Sequence, residues 1–60
     1  MELKVSTIIQ SHLNDAKIEI SFNPELAETR LNFVKYLIFN FPDTNHEINP
    51  RAEFKKFLNK

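Results

Sequence analysis

Glycine is absent from all 60 residues, so every reversal of the chain must be built from Asn, Asp, Pro or Ser. Two tetrapeptides carry most of that punctuation, Phe22-Asn23-Pro24-Glu25 and Ile48-Asn49-Pro50-Arg51, and they share one design. Asparagine is a good N-cap because its side-chain oxygen accepts from the unpaired amides of a first helical turn. Proline in the next position loses nothing, since its missing N–H would be unpaired there anyway. An apolar residue precedes each cap, as in a hydrophobic staple. Both sites therefore read as helix starts.

The first of these helices is expected to run from Pro24 to about Phe41. Leu26, Ala27, Leu31, Val34, Leu37, Ile38 and Phe41 recur at steps of three and four and line one face. Glu25, Glu28, Asn32 and Lys35 fall on the other. Pro42 stops the helix, because the residue before a proline avoids the helical region. A short helix is expected from Pro50 to about Leu58, with Phe54, Phe57 and Leu58 as its stripe, and a polar loop joins the two.

Upstream, Ala16, Ile18, Ile20 and Phe22 alternate with Lys17, Glu19 and Ser21, the pattern of a half-buried strand over residues 16–22. Residues 5–13 read two ways. As a helix, Val5, Ile8, Ile9, His12 and Leu13 share a face, with Thr7-x-x-Gln10 as a capping box. As a strand, they pair back through an Asn14-Asp15 hairpin turn. Periodicity favours the helix, and a single strand would then have unpaired ladder groups. Its simplest partner is the same segment of a second subunit across a two-fold axis. The expected fold is thus a helix-dominated α+β domain spanning residues 1–60, with intersubunit pairing of its lone strand.

A chain this short has a marginal core, and small domains usually add a disulfide, a metal or a partner chain. Cysteine is absent, which removes disulfides and thiolate metal sites and leaves self-association. Apolar residues make up 42% of the chain, including six Phe, enough for a globular core. The run Tyr36–Phe41 is too short to cross a bilayer, and Met1–Lys4 lacks the layout of a signal peptide. A cytoplasmic protein is expected. Net charge is zero, giving no overall attraction to nucleic acid. Arg51, Lys55, Lys56 and Lys60 nevertheless cluster against Glu53 alone, as cations suited to a helix C-terminus.

No catalytic constellation is visible. His12 falls on an apolar face, where a packed histidine is the ordinary reading, and His46 falls in the polar loop. The loop Asp43-x-Asn45-x-Glu47 has alternate oxygen ligands, but an EF-hand would need glycine where Ile48 stands and glutamate where Phe54 stands. Common phosphate-binding loops need glycine. No enzyme activity, cofactor or metal is expected. Arg30 sits within the apolar arc of the long helix, either snorkelling or paired with a carboxylate such as Glu19 or one on a partner.

Tyr36 and Phe39 lie off the main stripe and make the end of the long helix apolar nearly all round. Either the N-terminal segment wraps it or it is an interface. Ile18, Ile20, Phe22, Tyr36, Phe39 and Phe41 are the candidate interface residues of a self-associating interaction module, a homodimer, with an unidentified protein as the other possible partner. The order strand, helix, helix is also similar to that of the ribbon-helix-helix repressors and antitoxins, on Ile18-x-Ile20-x-Phe22 followed by Pro24-Glu25-Leu26. That resemblance implies a dimeric DNA-binding protein with Lys17, Glu19 and Ser21 facing the major groove.

Overall fold

The structure is a computed structural model that describes residues 1–59; Lys60, the last member of the basic cluster, lies outside the described residues. The order of elements is β1 (Leu3–Lys4), α1 (Val5–Glu19), α2 (Pro24–Asn40), β2 (Glu47–Ile48) and α3 (Pro50–Leu58). The expected class, helix-dominated α+β, is what forms.

Both Asn-Pro helix starts are used. Asn23 Oδ1 accepts from the Leu26 amide at 3.3 Å, and Asn49 Oδ1 accepts from the amides of Arg51 and Ala52 at 3.1 and 3.2 Å. The long helix closes at Phe41, whose N–H reaches the Leu37 carbonyl at 2.8 Å before Pro42 ends it. Among the described residues no φ is positive, so a glycine-free chain makes its turns without entering the left-handed region.

Residues 5–13 are helical, but the start is not a capping box. The N-cap is Lys4, without a side-chain cap, and Thr7 already lies inside the helix. The polar loop supplies the cap from a distance in sequence. The Val5 amide donates to the His46 carbonyl at 2.9 Å and the Ser6 amide to the Thr44 carbonyl at 3.0 Å. These bonds continue a two-residue antiparallel ribbon in which Leu3 faces Ile48 and Lys4 faces Glu47. Main-chain carbonyls thus satisfy orphan amides that side chains usually take.

The strand expected over residues 16–22 does not form. Helix α1 continues through Asn14 and Asp15 to Glu19, and Ile20–Phe22 form a turn. The intersubunit strand pairing expected of this segment therefore has no strand to rest on, and the small sheet is made by other residues. The turn is tight: the amides of Phe22 and Asn23 both donate to the Glu19 carbonyl, at 3.0 and 2.6 Å, and Ser21 Oγ donates to the Ile18 carbonyl. Helical spacing wins because it sets His12, Asp15, Ala16 and Glu19 on the side of α1 that meets α2. There Ala16 is buried, as Ala27 is on α2.

Val5, Ile8, Phe33, Leu37 and Ile48 form the core, where Leu3, Ile9, Tyr36, Phe41, Phe54 and Phe57 pack against them. Phe33 is its centre. It is fully buried, meets Phe54 edge-on at 4.9 Å and His12 edge-on at 4.9 Å, and touches Phe57 at 5.4 Å and Tyr36 at 5.9 Å. Helix α3 lies across one side of the α1–α2 hairpin through Phe54 and Phe57, and covers that side only.

Candidate functional site

Two features stand out beyond the core: a polar cluster where α1, α2 and α3 meet, and an apolar face of the hairpin that no element among the described residues covers.

The polar cluster is centred on Arg30. Its Nε donates to Glu19 Oε1 at 2.5 Å and its Nη2 to Glu19 Oε2 at 3.0 Å. Nη1 meets His12 Nδ1 at 3.1 Å and lies 3.6 Å from Asp15 Oδ2. Because a guanidinium only donates, His12 Nδ1 must be the acceptor, and the imidazole is the neutral form with its proton on Nε2. The ring also stacks on Phe54 at 5.8 Å. Burial, and then the Arg30 charge, lower the His12 pKa, against the opposing pull of Asp15 and Glu19. The bond to Glu19 raises that of Arg30. Nδ1 is thus engaged, and burial disfavours the charged imidazolium. Of the two readings for Arg30, pairing with Glu19 is the one that occurs.

A second link ties α3 to α2. Tyr36 Oη donates to Glu53 Oε1 at 3.3 Å, and Lys56 approaches the other oxygen at 3.5 Å. Burial first, then the Glu53 charge, raises the Tyr36 pKa.

The open face is apolar. Leu13 and Ile20 on the α1 side, with Leu31 and Ile38 on α2, are all exposed large hydrophobic residues. Between them a groove of about 290 Å³ is floored by Ala16 and walled by Leu13, Lys17, Ile20 and Leu31. The turn adds Ile18 and Phe22, 64% and 69% exposed. No family model, curated protein or solved structure matches this chain.

The six residues expected at an interface are not brought together as one patch. Ile18, Ile20 and Phe22 crowd the hairpin turn and are exposed, and Phe39, 88% exposed, stands near the far end of α2. Tyr36 and Phe41 pack against the core, the first beside Phe57 and the second stacked on His46 at 5.7 Å. Leu13, Leu31 and Ile38 read as core positions in the sequence, yet they line the open face. The clue lay in the width of the α2 stripe, which is broader than one neighbouring helix can cover.

Lys17, Glu19 and Ser21 do not form the outward row of a strand. Lys17 is on the groove wall, Glu19 is held by Arg30, and Ser21 is in the turn. A ribbon-helix-helix arrangement needs a strand where this chain has helix, through Glu19. The loop carboxylates are engaged in turn-making: Asp43 Oδ1 accepts from the Asn45 amide at 3.1 Å, and its carbonyl from the His46 amide. Among the described residues no group of three or more His, Cys, Asp or Glu side chains is placed to hold a metal ion. None of their helices is long and apolar enough to cross a membrane.

Proposed function

We propose that this chain is a small cytoplasmic interaction module that self-associates through the open face of its α1–α2 hairpin and has no catalytic role. The observation that carries this reading is the one-sided covering of the hairpin. Helix α3 buries one side around Phe33, while Leu13, Ile20, Leu31 and Ile38 on the other side are 36–62% exposed. A domain near the lower size limit for independent folding gains stability when such surface is buried by association.

Light scattering after size exclusion, at two protein concentrations, tests this reading. A mass rising toward twice 7.1 kDa with concentration is expected. A monomer at both concentrations would overturn self-association and leave the face to a different protein.

A further inference from the structure

We infer that His12 is a proton-dependent latch for α3: a proton taken up at Nδ1 breaks its bond with Arg30 and favours release of α3 from the α1–α2 hairpin, with Asn49 as the hinge.

Helix α3 is built to part from the rest. It contributes no buried residue, whereas α1 and α2 each contribute several. It is held by the partly buried rings of Phe54 and Phe57 and by the bond from Tyr36 Oη to Glu53. At nine residues it is too short to persist as a helix once parted. The chain just before it is pinned, because Ile48 is in the core and pairs with Leu3. Asn49 alone separates that anchor from the first residue of α3. Release can therefore hinge there and leave β1, β2 and the cap of α1 in place.

His12 is the α1 side of the seat. Among the ring contacts of the described residues, its stack on Phe54, 5.8 Å between centroids and 22° between planes, is the one that joins α1 to α3. The ring also meets Phe33 of α2 edge-on at 4.9 Å. It is thus held between α2 and α3 in an orientation that points Nδ1 at Arg30 Nη1, 3.1 Å away.

That orientation suits only the neutral ring. A guanidinium donates and never accepts, so Nδ1 serves as its acceptor only while it carries no proton. Once protonated, two donors and two cations face each other. Arg30 is the less free to move, because its Nε and Nη2 are committed to Glu19. The imidazolium must turn instead, and turning takes the ring off Phe54. Of the two carboxylates near it on α1, Glu19 is taken by Arg30, whereas Asp15 is half exposed and draws a charged ring toward water. On α3, Glu53 is engaged by Tyr36 and Lys56, and Phe54 offers only an apolar ring.

Burial acts in the same direction. It is the largest cause holding the His12 pKa below 6.5, ahead of Arg30 and against the pull of Asp15 and Glu19. Phe54 supplies part of that burial, so the ring binds a proton more readily when α3 is away. The state with the higher proton affinity gains population as pH falls. Docking of α3 is therefore strongest above pH 6.5 and weakens as the pH drops toward the folded value. Release bares Phe33, which α3 otherwise encloses through Phe54 and Phe57.

The test is native-state hydrogen exchange read residue by residue by NMR at about pH 7.5 and about pH 5, either side of the histidine range, and corrected for intrinsic rates. At the higher pH the α3 amides should be less protected than the core amides of α1 and α2, and less sensitive to added denaturant, as local opening requires. At the lower pH they should lose protection, in step with the titration of the His12 ring protons. In His12→Gln, which keeps an acceptor for Arg30 and cannot charge, α3 should be equally protected at both pH values.

If the α3 amides are as protected and as denaturant-sensitive as those of α1 and α2, α3 leaves only with global unfolding and the latch is overturned. A local opening that ignores pH, or one that still responds to pH in His12→Gln, overturns it equally. Should the variant not fold, the wild-type chain decides: a pH response of α3 that lies outside the His12 titration assigns the proton to another group.

Discussion

Arg30 and Glu19 meet in a parallel two-bond fork, 2.5 and 3.0 Å, that joins the last turn of α1 to the second turn of α2. Both side chains are largely shielded, 21% and 13% exposed. Such a pair holds the end of α1 in helical geometry, because Glu19 reaches Arg30 only if residues 16–19 continue the helix.

Removing one partner leaves the other charge poorly solvated. Arg30→Met is expected to destabilise the fold by about 1.5–3 kcal/mol, the range for hydrogen bonds to charged groups. Arg30→Lys should recover only part of that, because an ammonium cannot form the fork. Urea denaturation followed by circular dichroism measures both. Equal stability of Arg30→Met and wild type would show that the fork contributes nothing net.

His12 makes stability pH-dependent. Its folded pKa lies below the ordinary 6.5, through burial first and the neighbouring Arg30 second. Between the folded value and 6.5 the unfolded chain binds more protons than the native one. Stability is therefore complete above pH 6.5 and falls as pH drops through that window. In His12→Gln, which keeps an acceptor for Arg30, this component should vanish. The difference between the two pH–stability curves isolates it, and a proton NMR titration of His12 should give a midpoint below 6.5. A midpoint above 6.5 would reverse the sign.

Phe33 is the least replaceable side chain. Phe33→Ala should cost about 3–5 kcal/mol, the usual range for a buried Phe reduced to Ala. A core in a domain of this size supplies about that much in total. The variant is therefore expected to be largely unfolded at 25 °C, with a flat thermal melt. Phe33→Leu should stay folded with a lowered midpoint.

Asn49 caps a helix of nine residues, too short to persist by itself. It accepts from two amides, whereas Asn23 accepts from one. Asn49→Ala should cost about 1–2 kcal/mol and Asn23→Ala about 1 kcal/mol, both by chemical denaturation. Hydrogen exchange should show the loss in Asn49→Ala concentrated in α3.

What the sequence by itself determined is the local part of this structure. The starts of α2 and α3 follow from Asn23-Pro24 and Asn49-Pro50, whose capping bonds and fixed proline φ act within one helical turn. The stop at Pro42 and the helicity of residues 5–13 are legible for the same kind of reason, local sterics and periodicity. The tertiary structure decided three other things. It decided residues 14–22, where the alternation of Ala16, Ile18, Ile20 and Phe22 is a strand pattern. Helix prevails there because Arg30 and Ala27, distant in sequence, reward the helical positions Asp15, Ala16 and Glu19. In consequence Ile18, Ile20 and Phe22 are left at the surface. It decided the cap of α1, which comes from the carbonyls of Thr44 and His46 rather than from a neighbouring side chain. And it decided which apolar positions are core. Phe33 lies beside the main α2 stripe but is enclosed because α3 folds over it, while Leu31 and Ile38 lie on the stripe and face the open side. A helical pattern records that a side chain is apolar; only the placement of the other helices determines whether anything covers it.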